Sequence, residues 1–123
     1  MNEHENFNYR ATGWARRIGI EMGMKSGERF LFLTLAGFYN DQQKKAFPSI
    51  ELLEKMTGMG NTTVHNHLKS LVDRGLIVIE HVKSEGSKYT HNVYRMPGYK
   101  PSRTVQKAGT FTYETPQAAG FFT

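Results

Sequence analysis

Apolar residues along the chain fall into blocks of different period, and each block predicts its own element. From Thr12 to Met24, Trp14, Ile18 and Met22 recur every fourth residue with Arg16 and Arg17 between them. That spacing predicts an amphipathic helix, weakened by Gly13, Gly19 and Gly23. Ser26 can cap the next helix, and Glu28 in its first turn suits the helix dipole. Phe30, Leu31, Phe32, Leu33, Leu35, Ala36, Phe38 and Tyr39 make this second helix apolar nearly all round, so it is expected to be central and buried. Asn40 to Ala46 reads as a polar loop.

Pro48 and Ser49 open a third helix, with Ser49 as its cap and Ile50, Leu53 and Met56 as its inner stripe. Thr57-Gly58-Met59-Gly60 is a turn. A fourth helix follows from Asn61 to Arg74, with Val64, Leu68, Leu71 and Val72 on one face. Gly75 is placed to stop it in a left-handed conformation. The period then changes. Leu76 to Lys83 is rich in Ile and Val and predicts a strand, Ser84 to Ser87 a turn, and Lys88 to Met96 the return strand. Pairing about Gly86 sets Ile79 opposite Val93 and His81 opposite His91. In that register Leu76, Val78, Tyr94 and Met96 share one face and Ile77, Ile79 and Val93 the other. Both faces are then apolar, and something is expected to cover the second: the N-terminal helix, the tail or another subunit.

The expected fold is mainly α with a β-hairpin wing. Residues 1–11 read as a flexible arm, 12–96 as the folded domain, and 97–123 as a flexible tail dominated by Pro, Gly, Ser, Thr and Gln. Tyr99, Phe111, Tyr113, Phe121 and Phe122 are unusual for a solvated tail, and a docking role is expected for them, with a protein partner as one candidate.

Composition changes this picture little. The 123 residues make one domain with a modest core. A net charge of +5 favours polyanionic partners without specifying them. The chain has no cysteine, so thiolate metal sites and disulfides are excluded. The longest apolar run is far short of a membrane span, and a cytoplasmic protein is expected. Catalytic chemistry is thin: no phosphate loop, nucleophile elbow or paired carboxylate pattern is present, so no enzyme activity and no cofactor are expected. His65 and His67 are two apart, a spacing that splays them on a helix, and no metal site is expected.

The fourth helix carries the chemistry. A helix that enters the DNA major groove buries one face and offers short hydrogen-bonding side chains on the other, mainly from its N-terminal half. Asn61, Thr62, Thr63, His65, Asn66 and Lys69 meet that description. Asn pairs with adenine, Thr meets a phosphate or a thymine methyl, and Lys69 meets a phosphate. Lys83, Ser87 and Lys88 flank the hairpin turn, where a wing adds affinity without reading sequence. Ser49 stands at a helix N-terminus that can take a phosphate. Arg10, Arg16, Arg17 and Lys25 read as a solvated face rather than a second patch.

The run from Gly13 to Ile77, with Trp14-Ala15, Leu33 to Asn40, Phe47-Pro48-Ser49, Thr57-Gly58-Met59, Thr63-Val64, Leu68, Leu71 and Gly75-Leu76-Ile77, resembles the winged helix-turn-helix domain common in phage and plasmid proteins. His91 to Arg95 resembles its closing strand. The resemblance implies double-stranded DNA binding, in repressors, replication initiators or partition components. Many relatives carry Arg early in the recognition helix where this chain has Asn61 and Asn66, which implies weaker or more A·T-directed recognition. The leading expectation is a dimeric, sequence-specific transcriptional regulator of a plasmid or phage-like element. A replication or partition component that recruits other proteins is the alternative, and a winged helix that binds only protein is the third.

Overall fold

A computed structural model describes residues 7–83, 86 and 90–101. Four helices and one hairpin follow in order: α1 (Tyr9–Glu21), α2 (Ser26–Gly37), α3 (Ile50–Thr57), α4 (Asn61–Asp73), β1 (Val78–Lys83) and β2 (Thr90–Arg95). The fold is therefore mainly α with a β wing. Among the described residues no helix is long and apolar enough to cross a membrane.

α1 begins earlier than its apolar period predicts, inside the stretch read as an arm. Asn8 caps it: its side-chain oxygen accepts from the Ala11 N–H at 2.9 Å. The same side chain donates to the Tyr39 carbonyl and to Asp41, each at 2.8 Å, which ties the start of α1 to the end of α2. Residues 1–6 lie outside the described residues. The buried stripe of α1 is Ala11, Ala15 and Gly19, with Trp14 and Ile18 packed beside it. Met22, expected inside, is exposed. Small residues at the contact let α1 lie close on α2, the helix it chiefly packs against.

α2 is the central helix, with Leu31, Phe32, Leu35 and Ala36 fully buried. Its apolar girdle is not complete, for Phe30 faces solvent. Ser26 is its first helical residue and makes no capping bond. Glu28 is buried rather than left at the surface: it accepts from Ser70 at 2.8 Å and from Arg74 Nε at 2.8 Å. This ion pair bolts the first turn of α2 to the last turn of α4.

α3 starts as expected. The Ser49 hydroxyl oxygen accepts from the Leu52 N–H at 3.0 Å, and Leu53 is fully buried. Gly58 then takes φ +77°, a left-handed C-cap that only glycine adopts without steric cost, and turns the chain into α4. Gly75, at φ +79°, ends α4 in the same conformation.

The hairpin register differs by one residue from the expected one. Ile79 pairs with Tyr94, Glu80 with Val93, His81 with Asn92 and Val82 with His91. A one-residue slip exchanges faces. Here it places the large Tyr94 ring, fully buried, beside Ile79 on the side that meets the helices. Val78, Glu80 and Val82 fall on the outer side, where Val78 is 46% exposed and Val82 37%. Among the described residues no element covers these two, while Val93, on the same side and on the face for which the sequence expected a cover, is buried.

Two further features depart from the sequence expectation. The polar loop is not structureless: Asn40 bridges Lys45, and Ala46 exchanges backbone hydrogen bonds with Tyr94 at 2.7 and 2.8 Å. Ala46 thus acts as a one-residue third strand on the free edge of β2. The ordered chain also runs past residue 97. Tyr99 is buried against Trp14 and Tyr39, with ring centroids 5.5 and 5.4 Å apart. Of the other tail aromatics, Phe111, Tyr113, Phe121 and Phe122 lie outside the described residues.

Candidate nucleic-acid interface

α4 has two distinct faces. Val64, Leu68 and Leu71 are buried against α2 and α3. Asn61, Thr62, Thr63, His65, Asn66 and Lys69 are all exposed. At 100° per residue, Thr62, Asn66 and Lys69 stand roughly opposite Val64, at the centre of the exposed face. Val72, expected inside, is exposed because it stands about 100° round the helix from Leu71. The two histidines separate as their spacing requires. His65 is exposed, whereas His67 is half-buried and lies against Gly27 of α2.

Most of the exposed polar groups are uncommitted, and two are lightly held. The Asn61 amide nitrogen donates to Glu54 Oε2 at 3.0 Å, across the α3–α4 turn. Its carbonyl oxygen and second N–H stay available, the pair that a bidentate contact with adenine uses. Lys69 pairs with Asp73 at 3.3 Å, with both side chains mostly exposed. Such an i,i+4 pair is worth about 0.3–0.5 kcal/mol and yields readily to a phosphate. Gly60 precedes α4 without a side-chain cap and no acid stands in the first turn, so the leading N–H groups of the helix are left for water or an anion.

The turn that sets α4 on α3 is braced from within. Thr57 Oγ1 donates to the Leu53 carbonyl at 2.7 Å and accepts from the Met59 N–H at 3.2 Å. Ser49 is exposed at the N-terminus of α3; its oxygen caps the helix while its hydroxyl hydrogen remains free to donate. Beside it, the exposed Phe47 ring lies under the Lys45 ammonium at 5.8 Å. Lys83 is exposed at the distal end of β1. Ser87 and Lys88, the other expected wing residues, lie outside the described residues. Arg16, Arg17 and Lys25 are exposed, the first two on α1 and the third just before α2.

Glu54, Glu28 and Arg74 were not foreseen in these roles. Glu54 holds Asn61, and the Glu28–Arg74 pair fixes the far end of α4. Burial pushes the Glu28 carboxyl up, but hydrogen bonds from Arg74 and Ser70, with the Arg74 charge, outweigh it and hold the pKa below the ordinary 4.5. The carboxylate is therefore the stable form at neutral pH, and α4 is held at both ends.

No curated protein and no solved structure gave a match to the chain. Residues 23–77 match a family model described as "Helix-turn-helix domain". That span covers α2, α3, the turn and α4, the elements whose geometry is described above, and stops just before β1. DNA is the partner that such a domain points to. Over residues 23–77 the chain is thus similar to that family, and with the β1–β2 hairpin that follows its fold is that of a winged helix-turn-helix.

Proposed function

We propose that this chain binds double-stranded DNA sequence-specifically, as a dimeric cytoplasmic regulator of transcription on a plasmid or phage-like element, with no catalytic step of its own. The observation that carries the reading is the exposed face of α4. Six hydrogen-bonding or cationic side chains, Asn61 to Lys69, stand free of the core while Val64 and Leu68 anchor the opposite side. In this docking Thr62, Thr63, His65 and Asn66 meet base edges or phosphates, Lys69 and Ser49 meet phosphates, and Lys83, with Ser87 and Lys88, follows the backbone from the wing. One recognition helix reads few base pairs, so two copies on symmetric half-sites supply the specificity that a regulator needs.

Selection of bound fragments from random DNA at fixed salt tests this reading. A palindromic consensus is the expected outcome. Iterated direct repeats would replace the regulator with a replication or partition role. Lys69→Ala and Lys83→Ala are each expected to weaken binding to all sequences and to lower the salt slope by about one unit. Asn66→Ala is expected to relax sequence preference by about 1–3 kcal/mol. Unchanged affinity and salt slope in both lysine variants would rule this docking out.

A further inference from the structure

A groove of about 970 Å³ opens at the base of the hairpin, at the end of the ladder where Val78 faces Arg95. Tyr39 and Tyr99 line it, set edge to face. Lys44, Arg95 and Lys100 also line it, and Asp41 is the one carboxylate among the described lining residues. That carboxylate is already committed: one oxygen accepts from Asn8 at 2.8 Å and the other from the Tyr99 hydroxyl at 3.4 Å. Arg95 is fixed in place, donating through Nε to Glu80 at 3.0 Å and through Nη1 to the Lys44 carbonyl at 3.2 Å. Its Nη2 has no partner among the described residues, nor has either lysine ammonium.

The backbone is strained at this spot. Lys44 has φ +59° and is the one non-glycine residue with positive φ among the described residues. Non-glycine residues held there are over-determined by their surroundings and cluster at binding sites. The strain here goes with a preformed cationic wall, since the Lys44 carbonyl positions the Arg95 guanidinium. The groove therefore combines a size typical of small-molecule sites with aromatic lining and uncommitted cationic donors.

We propose that this groove is a binding site for an organic anion with a flat aromatic part, of about mononucleotide size. The cations take the phosphate or carboxylate, and the apolar lining, including exposed Val78, takes the ring. The chain's own tail is a poor occupant by charge. Residues 102–123 carry Arg103 and Lys107 against Glu114 and add positive charge to a positive groove.

NMR titration of the full chain, without DNA, with AMP, salicylate, adenosine and inorganic phosphate tests the site. Saturable shifts at Tyr99, Lys44 and Lys100 are expected with AMP or salicylate. Adenosine and phosphate are each expected to bind at least tenfold more weakly than AMP. Lys44→Glu is expected to weaken AMP binding at least tenfold. Lys100→Ala, outside the strained turn, is expected to weaken it less and keeps the test valid should Lys44→Glu fold poorly. Absence of saturation with both AMP and salicylate, or shifts centred on α4 instead, would overturn the proposal. So would a result in which neither ligand binds while Lys44→Glu weakens binding to every DNA sequence; the groove would then be a contact for the DNA backbone. Because the titration contains no DNA, its failure is distinct from failure of the DNA-binding reading.

Discussion

Glu28 stands in the first turn of α2 with its carboxylate turned inward to Ser70 and Arg74. Loss of a charged hydrogen-bonding partner there leaves the guanidinium, one third exposed, without its anion. Glu28→Gln is expected to cost about 1–3 kcal/mol, read as a fall in the urea midpoint. The pH dependence has a definite sign. The folded pKa lies below the ordinary 4.5, so the folded state favours the carboxylate. Its stabilising contribution is complete above 4.5 and is lost as pH falls below that value through the folded pKa. Urea melts of wild type and Glu28→Gln are therefore expected to converge in acid and to stay apart at neutral pH. On the exposed side of α4, Lys69 is shared with Asp73. Asp73→Asn replaces the competing anionic acceptor with a neutral one and so removes a negative charge from the face proposed to meet DNA. A gain in affinity of about twofold for all sequences is expected in a filter-binding titration at low salt. Loss of affinity in that variant would mean that Asp73 itself faces a base.

The α3–turn–α4 unit depends on two kinds of residue, and each can be tested. Leu68 lies at the centre of the buried face of α4, and Leu68→Ala is expected to cost about 2–5 kcal/mol in denaturant melts. Gly58 holds the turn by its left-handed backbone, and Gly58→Ala is expected to cost about 1–2 kcal/mol although the added methyl meets open space. These elements were legible in the sequence because each announces itself locally. Ser49 caps α3, Gly58 and Gly75 end helices, and the 3.6 period marks Val64, Leu68 and Leu71. The exposed half of α4, and with it most of the candidate site, was legible by subtraction from that buried face. The hairpin register was not, because Val78 to Val82 and Val93 to Met96 offer apolar residues on both faces and a period of two cannot choose between them. The contact face of α1 was hidden for a different reason. Ala11, Ala15 and Gly19 contribute little to an apolar pattern, whereas the bulkier Trp14 and Ile18 that dominate it flank the contact. The Glu54–Asn61 and Glu28–Arg74 bonds join different helices, and no local period reports them.

At the scale of the whole molecule, the wing does not close the fold; the segment after it does. Tyr99 packs on Trp14 of α1 and on Tyr39 just past α2, and Trp14 packs in turn on Phe32 at 5.5 Å. Four rings thus join the first helix, the central helix and the chain beyond β2. A boundary drawn after Met96 cuts through this cluster. Truncation there is expected to cost about 3–5 kcal/mol, the scale of removing a buried large aromatic side chain, and to lower DNA affinity only through the unfolded fraction. Truncation after Pro101 keeps the cluster and is expected to leave the melting temperature and DNA affinity close to those of the full chain. The pair of truncations separates two roles that a single cut at residue 96 would confuse. If residues 102–123 recruit a protein partner, the chain cut after Pro101 binds DNA normally yet fails in the cell. A chain cut after Pro101 that melts as low as the one cut after Met96 would instead place part of the stabilising core in residues 102–123, and the ring cluster would not be what closes the fold.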